Sequence, residues 1–192
     1  LRKPSVRWVM LASPFAVGVS FYVFYAMQPY LLELHGDPNA YGIAGLAAAI
    51  IAAAQVVGGL LMPRILKLFR SRTTMLITAT CLGVLVTALL GIMPNFWIAI
   101  TLLTVWGLTF SLTMPVRQAY LNGLIESQQR ATVLSFDSLL GSSGGIISQP
   151  ILGRTADLFG YAPSYLVSSV IQLGSLPFLF LAKRTKASSD VI

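Results

Sequence analysis

Apolar residues in this chain neither alternate with polar ones nor keep to one helical face. They run in six long blocks, covering roughly 8–32, 41–62, 74–93, 97–116, 131–152 and 164–182. About 20 apolar residues cross the hydrocarbon of a bilayer as a helix, and a helix satisfies its own backbone groups there. Breakers fall between the blocks: Gly36-Asp37-Pro38, Pro63, Pro94-Asn95 and the stretch 160–163. The pattern predicts an all-α membrane protein with six transmembrane helices in one domain over 1–192. The first block is long and lacks a clear cleavage site, so it reads as a span rather than a signal peptide.

Composition supports the same class. Only 10% of the 192 residues are charged and 56% are hydrophobic, against roughly a quarter charged in a soluble domain. Disorder is excluded by the hydrophobicity. A disulfide scaffold is excluded because Cys81 is the only cysteine. Six spans use about 120 residues, so twelve do not fit.

Basic residues set the expected topology. Twelve of the 13 Lys and Arg fall in the N-terminal tail, the second and fourth connections and the C-terminal tail, leaving Arg154 alone in the other connections. The positive-inside rule then places both termini in the cytoplasm, in a cell membrane (inner or plasma). The net charge of +7 is thereby accounted for as a membrane-facing basic fringe with the lipid bilayer as its partner, and needs no nucleic acid.

A weak internal repeat has a period of about 90 residues, the length of three spans. Arg64-Ile-Leu-Lys-Leu-Phe69 aligns with Arg154-Thr-Ala-Asp-Leu-Phe159, and Tyr30-Leu31 with Tyr120-Leu121. One residue off that register, Gly18-Val-Ser-Phe21 meets Gly107-Leu-Thr-Phe110. An odd number of spans per copy forces the second copy to lie inverted, the arrangement of secondary transporters.

These residues reach a known family. The stretch Gly153-Arg-Thr-Ala-Asp157-Leu-Phe-Gly160 resembles the G-x-x-x-D-x-x-G signature of the major facilitator superfamily. Arg117-Gln-Ala-Tyr-Leu-Asn122, followed by Arg130-Ala-Thr-Val-Leu-Ser135, is similar to that family's connection between its tenth and eleventh helices. The Gly/Pro-rich stretch 141–153, with Gly144, Gly145 and Pro150, is similar to its eleventh helix. The resemblance implies a half bundle equivalent to helices seven to twelve, built as two inverted three-helix repeats. It implies alternating-access transport of a small solute, with a missing N-terminal six-helix half or a second copy as partner. The second connection departs from the signature, with Lys67 in place of the acid and Arg70 in place of the glycine. An acid latch in that connection is therefore not expected.

Asp137 is the one acid well inside a predicted span, and an intramembrane carboxylate is by default a functional candidate. Asp137, Gly141, Gly144 and Ser148 each fall within about 40° of Arg130 on a helical wheel. Asp137 lies about two turns from the end of its span, so pairing with Arg130 or Arg117 to close a gate stands beside proton coupling as its role. Trp106, Thr109, Phe110, Thr113 and Arg117 form a second stripe, and Phe21, Tyr25 and Gln28 a third. Aromatics with a few hydroxyls and amides suit a mixed apolar and polar cavity. The cavity candidates are thus Phe21, Tyr25, Gln28, Gln55, Trp106, Thr109 and Thr113, with helix packing as the alternative for each. The resemblance further implies that the third helix of each repeat is peripheral.

Two other classes compete. One is a non-transporting membrane module or accessory subunit. The other is an intramembrane serine protease, suggested by Gly141-Ser-Ser143-Gly144. A serine nucleophile needs a base within hydrogen-bond reach, and the only histidine, His35, lies in the first external connection. No enzyme is expected, nor any metal cluster, cofactor or nucleotide motif. A start at Leu1 rather than Met favours a piece of a longer transporter over a natural half-transporter.

Overall fold

The computed structural model describes residues 3–191, nearly all of them helical. Helix α1 spans Pro4–His35, α2 Tyr41–Leu66, α3 Arg72–Ile92 and α4 Phe96–Asn122. After a short 3-10 turn, α5 spans Arg130–Phe159, α6 Tyr161–Leu173 and α7 Leu176–Arg184. Helix ends follow local chemistry. Gly36, in the left-handed region at φ 80°, closes α1. Asn95 caps α4, its Oδ1 accepting from the N–H groups of Trp97 at 3.0 Å and Ile98 at 3.2 Å. Ser71 caps α3 in the same way. Gly160 turns α5 into α6 at φ 88°, ψ 170°, a backbone region that is essentially glycine-only.

Several boundaries differ from the sequence reading. Pro63 does not end the second helix but lies inside α2. Pro163 falls in the first turn of α6, where a backbone N–H has no helical partner to lose. The last apolar block is one 24-residue run, Tyr161–Arg184, interrupted by a turn at Gly174-Ser175.

Five stretches are long and apolar enough to cross a membrane; α5 is not among them. Its inward stripe of Asp137, Gly141, Gly144, Gly145 and Ser148 lowers its apolar content, while Leu139, Ile146, Ile147 and Ile151 are exposed on its other side. At 30 residues it is about 45 Å long.

The main packing partners are α1 with α5, α2 with α4, and α3 with α6. In the first pair Ser13 lies beside Gly141, Pro14 beside Gly144, and Gly18 beside Ser148, so the two helices run parallel. A β-carbon on Gly144 would run into the Pro14 carbonyl. Glycine here permits backbone-to-backbone contact of the kind that holds membrane helices together. In the third pair Gly83 meets Gln172 and Gly91 meets Leu166, so those helices run antiparallel.

The two ends of the bundle differ. At one end Lys3 Nζ donates to the Leu124 carbonyl at 2.8 Å. There the C-terminal segment also docks on α3 and α4. The Thr73 N–H donates to Asp190 Oδ1 at 2.7 Å and the Thr73 hydroxyl to Oδ2 at 2.8 Å, while Ser189 Oγ donates to the Tyr120 carbonyl at 2.9 Å. Both tails and the α2–α3 and α4–α5 connections therefore gather together, bringing the basic residues with them. At the other end Tyr30 donates to the Leu90 carbonyl at 2.6 Å, and His35 packs on Phe96.

Candidate functional site

Arg117 projects from the last turns of α4, and Asp137 from α5 two turns beyond its start. Their side chains meet as a two-pronged pair. Arg117 Nη1 donates to Asp137 Oδ2 and Nη2 to Oδ1, each at 2.5 Å. Nη2 also reaches the Val9 carbonyl of α1 at 3.4 Å. The side chains retain 14% and 10% of their exposure, so most of their water is gone. A planar guanidinium matching both carboxylate oxygens is the geometry in which such a pair holds best. The pair ties α4, α5 and α1 together close to the end where the tails gather.

The pair borders a cavity of about 420 Å³ between α1, α4 and α5, whose wall also includes Ser13, Phe21, Met114 and Ser138. Farther along α1 and α5 an open depression of about 480 Å³ is walled by Phe21, Tyr25, Gly145 and Gln149. A smaller chamber of about 130 Å³ lies inside the bundle, reached from α1, α3, α4 and α6. Trp106, Thr109 and Thr113 line this chamber together with Arg117. Trp106 is buried and stacks on Phe110, with ring centroids 5.4 Å apart and planes at 20°. The Thr109 and Thr113 hydroxyls donate to the Val105 and Thr109 carbonyls, both at 2.8 Å.

Of the other candidates, only Tyr25 borders one of these spaces, the open depression. Tyr25 is 70% exposed, and Gln28 is exposed beyond it, outside these cavities. Gln55 covers Gly107 at the α2–α4 contact, a packing position. Arg130 is not part of the pair: it is exposed and reaches only the Asn122 carbonyl, at 3.4 Å. Its place on the Asp137 stripe is geometrically right, but it stands in the first turn of α5 and reaches back toward α4. Gly153, Asp157 and Gly160 sit at the opposite end of the bundle, at the α5–α6 joint, with Asp157 exposed.

Sequence reasoning missed Gln172, Thr80 and Gly83, which close the inner chamber from α6 and α3. Those helices were expected to be peripheral. An isolated glutamine in the last apolar run was the available signal. Ser143 donates its hydroxyl to the Leu140 carbonyl at 2.7 Å. His35, at the far end of α1, is about 30 Å along the helix from Pro14, which lies level with Gly144. His35 is therefore out of hydrogen-bond reach of that serine. Among the described residues no three His, Cys, Asp or Glu side chains come together as a metal site.

Residues 10–191 match the family model of the Major Facilitator Superfamily. The chain belongs to the major facilitator superfamily. Membership agrees with its long apolar helices and makes it a multi-pass membrane protein of a transporter family. Among solved structures it is similar to an inward-facing, unoccupied crystal structure of a bacterial homolog to the human lysosomal transporter Spinster. The TM-score is 0.64 at 16% identity, covering 99% of this chain and 50% of that one. The likeness is one of fold, and this chain spans about half the length of that transporter. No curated protein matched in sequence.

Proposed function

We propose that the protein carries a small solute across a cell membrane by alternating access, as the C-terminal six-helix bundle of a major-facilitator transporter. In this reading a second six-helix bundle faces it across the transport cavity. All six helical units cross the bilayer, with α5 shielded by α1 on its polar side. The basic end lies in the cytoplasm by the positive-inside rule.

The observation that carries the reading is the buried Arg117–Asp137 pair bordering the cavity between α1, α4 and α5. The pair serves as a cytoplasmic gate contact: made, it draws α4 and α5 together near the basic end; broken, it lets them part. A gate suits its position better than a proton site does, because both carboxylate oxygens are already held by the guanidinium. Aromatic and hydroxyl lining suits a solute with both apolar and polar parts.

The test is transport by the full-length protein in proteoliposomes given a metabolite extract, with lumenal contents read by mass spectrometry. One or more solutes should be enriched over protein-free vesicles. Asp137→Asn should then slow uptake at least about tenfold, the range for losing a charge-assisted contact, while Glu126→Gln in the exposed loop leaves it unchanged. No enriched solute would remove the transporter reading. Equal rates in the two variants would remove the gate.

A further inference from the structure

The inner chamber has a wall that the transport reading does not use. It holds about 130 Å³ between α1, α3, α4 and α6. Gln172 is only 8% exposed, and its Oε1 is sealed off from the chamber, so the amide meets that space through Nε2. The Thr80 hydroxyl, also buried, lines it from α3. An amide nitrogen only donates, and a hydroxyl can donate too. No Asp or Glu among the described residues lines the chamber. Much of the rest is apolar, with Trp106 stacked on Phe110.

Arg117 sets the charge. It lines both this chamber and the 420 Å³ cavity, whereas Asp137 borders the cavity alone. Asp137 holds two of the five guanidinium N–H groups, so donors remain for a second partner. While the pair is made, Asp137 matches the charge from the cavity side. Once it parts, a cation is left at the wall of a mostly apolar chamber, and an unmatched buried charge is costly. An anion in the chamber matches it from the other side, with Gln172 Nε2 and the Thr80 hydroxyl as further donors. Size narrows the class: at about 30 Å³ of liquid volume per water, the chamber takes about four water-sized units. We infer that it is a site for one small inorganic anion, of halide or nitrate size, that takes over Arg117 when Asp137 releases it. The anion enters past Phe21 and Met114, which border both spaces. The exchange rests on the gate proposed above, whereas the site rests only on the pair and the chamber.

The experiment uses the full-length protein in nanodiscs, with bromide as the probe and gluconate, too bulky for the chamber, holding ionic strength constant. Bromide quenches tryptophan fluorescence, and Trp106→Phe made in parallel isolates the Trp106 signal from that of the other tryptophans. Quenching of that signal should saturate and should be relieved by chloride, which competes without quenching. Asp137→Asn leaves Arg117 unmatched, so it should bind bromide at least about tenfold more tightly than the parent, the worth of one hydrogen bond to a charged group. Gln172→Leu should weaken binding about 2- to 10-fold. Should Asp137→Asn fail to fold, Asp137→Glu, whose longer side chain spoils the two-pronged fit, replaces it with the same expected direction. Trp106 quenching that rises linearly with bromide, without relief by chloride, would overturn the site; a chamber holding water alone gives that result. Equal affinity in the parent and in Asp137→Asn would overturn the part given to Arg117, and unchanged affinity in Gln172→Leu would overturn its donor. Uptake is not the readout, so failure here leaves the transport reading standing.

Discussion

Breaking the Arg117–Asp137 pair should cost more than any exposed ion pair in this chain could. With charge centres about 4 Å apart and an effective dielectric constant of about 20, the Coulomb attraction is about 4 kcal/mol. The residual exposures of 14% and 10% place the pair well away from the fully solvated case, in which about 0–1 kcal/mol is usual. Its position on the rim of a 420 Å³ cavity lets water reach one side, which keeps the effect below the dry limit. Removing one partner strands the other, so Asp137→Asn should destabilise by about 3 kcal/mol. Arg117→Gln should cost a similar amount, and the double variant little more than either single one. The coupling in that cycle is then about 2–3 kcal/mol. Arg117→Lys keeps the charge but loses the second prong and the reach to the Val9 carbonyl, so it should restore only part of the stability. Denaturant titration in mixed micelles, followed by tryptophan fluorescence, measures all four. A coupling under about 0.5 kcal/mol would refute the reasoning, because it would mean that water, not Arg117, satisfies the carboxylate.

Two further substitutions test the packing. Gly144→Ala should lower stability by about 1–3 kcal/mol, since the new carbon meets the backbone of Pro14. Gly59→Ala, whose carbon meets nothing within 4 Å, should be neutral or gain about 0.5–1 kcal/mol from helix propensity; equal effects in the same micelle titration would contradict the close approach. Asp190→Ala removes both acceptors that hold Thr73 and should cost about 2 kcal/mol. Hydrogen exchange at the first turn of α3 should accelerate, and unchanged protection there would show that the tail does not hold that helix end.

How much of this was legible in the sequence depends on what each feature requires. Long apolar runs state their own role, because a bilayer demands only length and the absence of charge. Six blocks are read in that way, and five of the resulting helical stretches are long and apolar enough to cross a membrane, α5 falling short because of its small and polar inward stripe. The Arg117 and Asp137 partnership could be proposed from chemistry, since an acid in a span calls for a cation. Choosing Arg117 over Arg130 could not, because the helical wheel places residues on a face without saying which neighbouring helix lies across from it. Pro63 misled for a related reason. A proline removes a hydrogen bond, but α2 has only three residues beyond it. Gln172 was passed over because its helix was assigned by analogy to the periphery, and analogy does not count the polar groups around a cavity.

The repeat shows why similarity in sequence can fade while its structural content persists. Gly18 of α1 meets Gly144 and Ser148 of α5, and Gly107 of α4 meets Ile51 and Gln55 of α2. The two glycines stand 89 positions apart, and each matching partner stands 93 apart. The first helix of each repeat thus crosses the second helix of the other, using one small residue at an equivalent point. Everything else along those helices needs only to be apolar, so little else is retained. Such an exchange leaves neither repeat with its own core. The main partner of α1 is α5, that of α2 is α4, and that of α3 is α6; all three pairings join one repeat to the other. Residues 1–94 expressed alone should therefore lack a cooperative unfolding transition in micelles. Co-expressed with residues 95–192, they should purify as a one-to-one complex that recovers one. A first repeat that unfolds cooperatively by itself would contradict the interlocked arrangement.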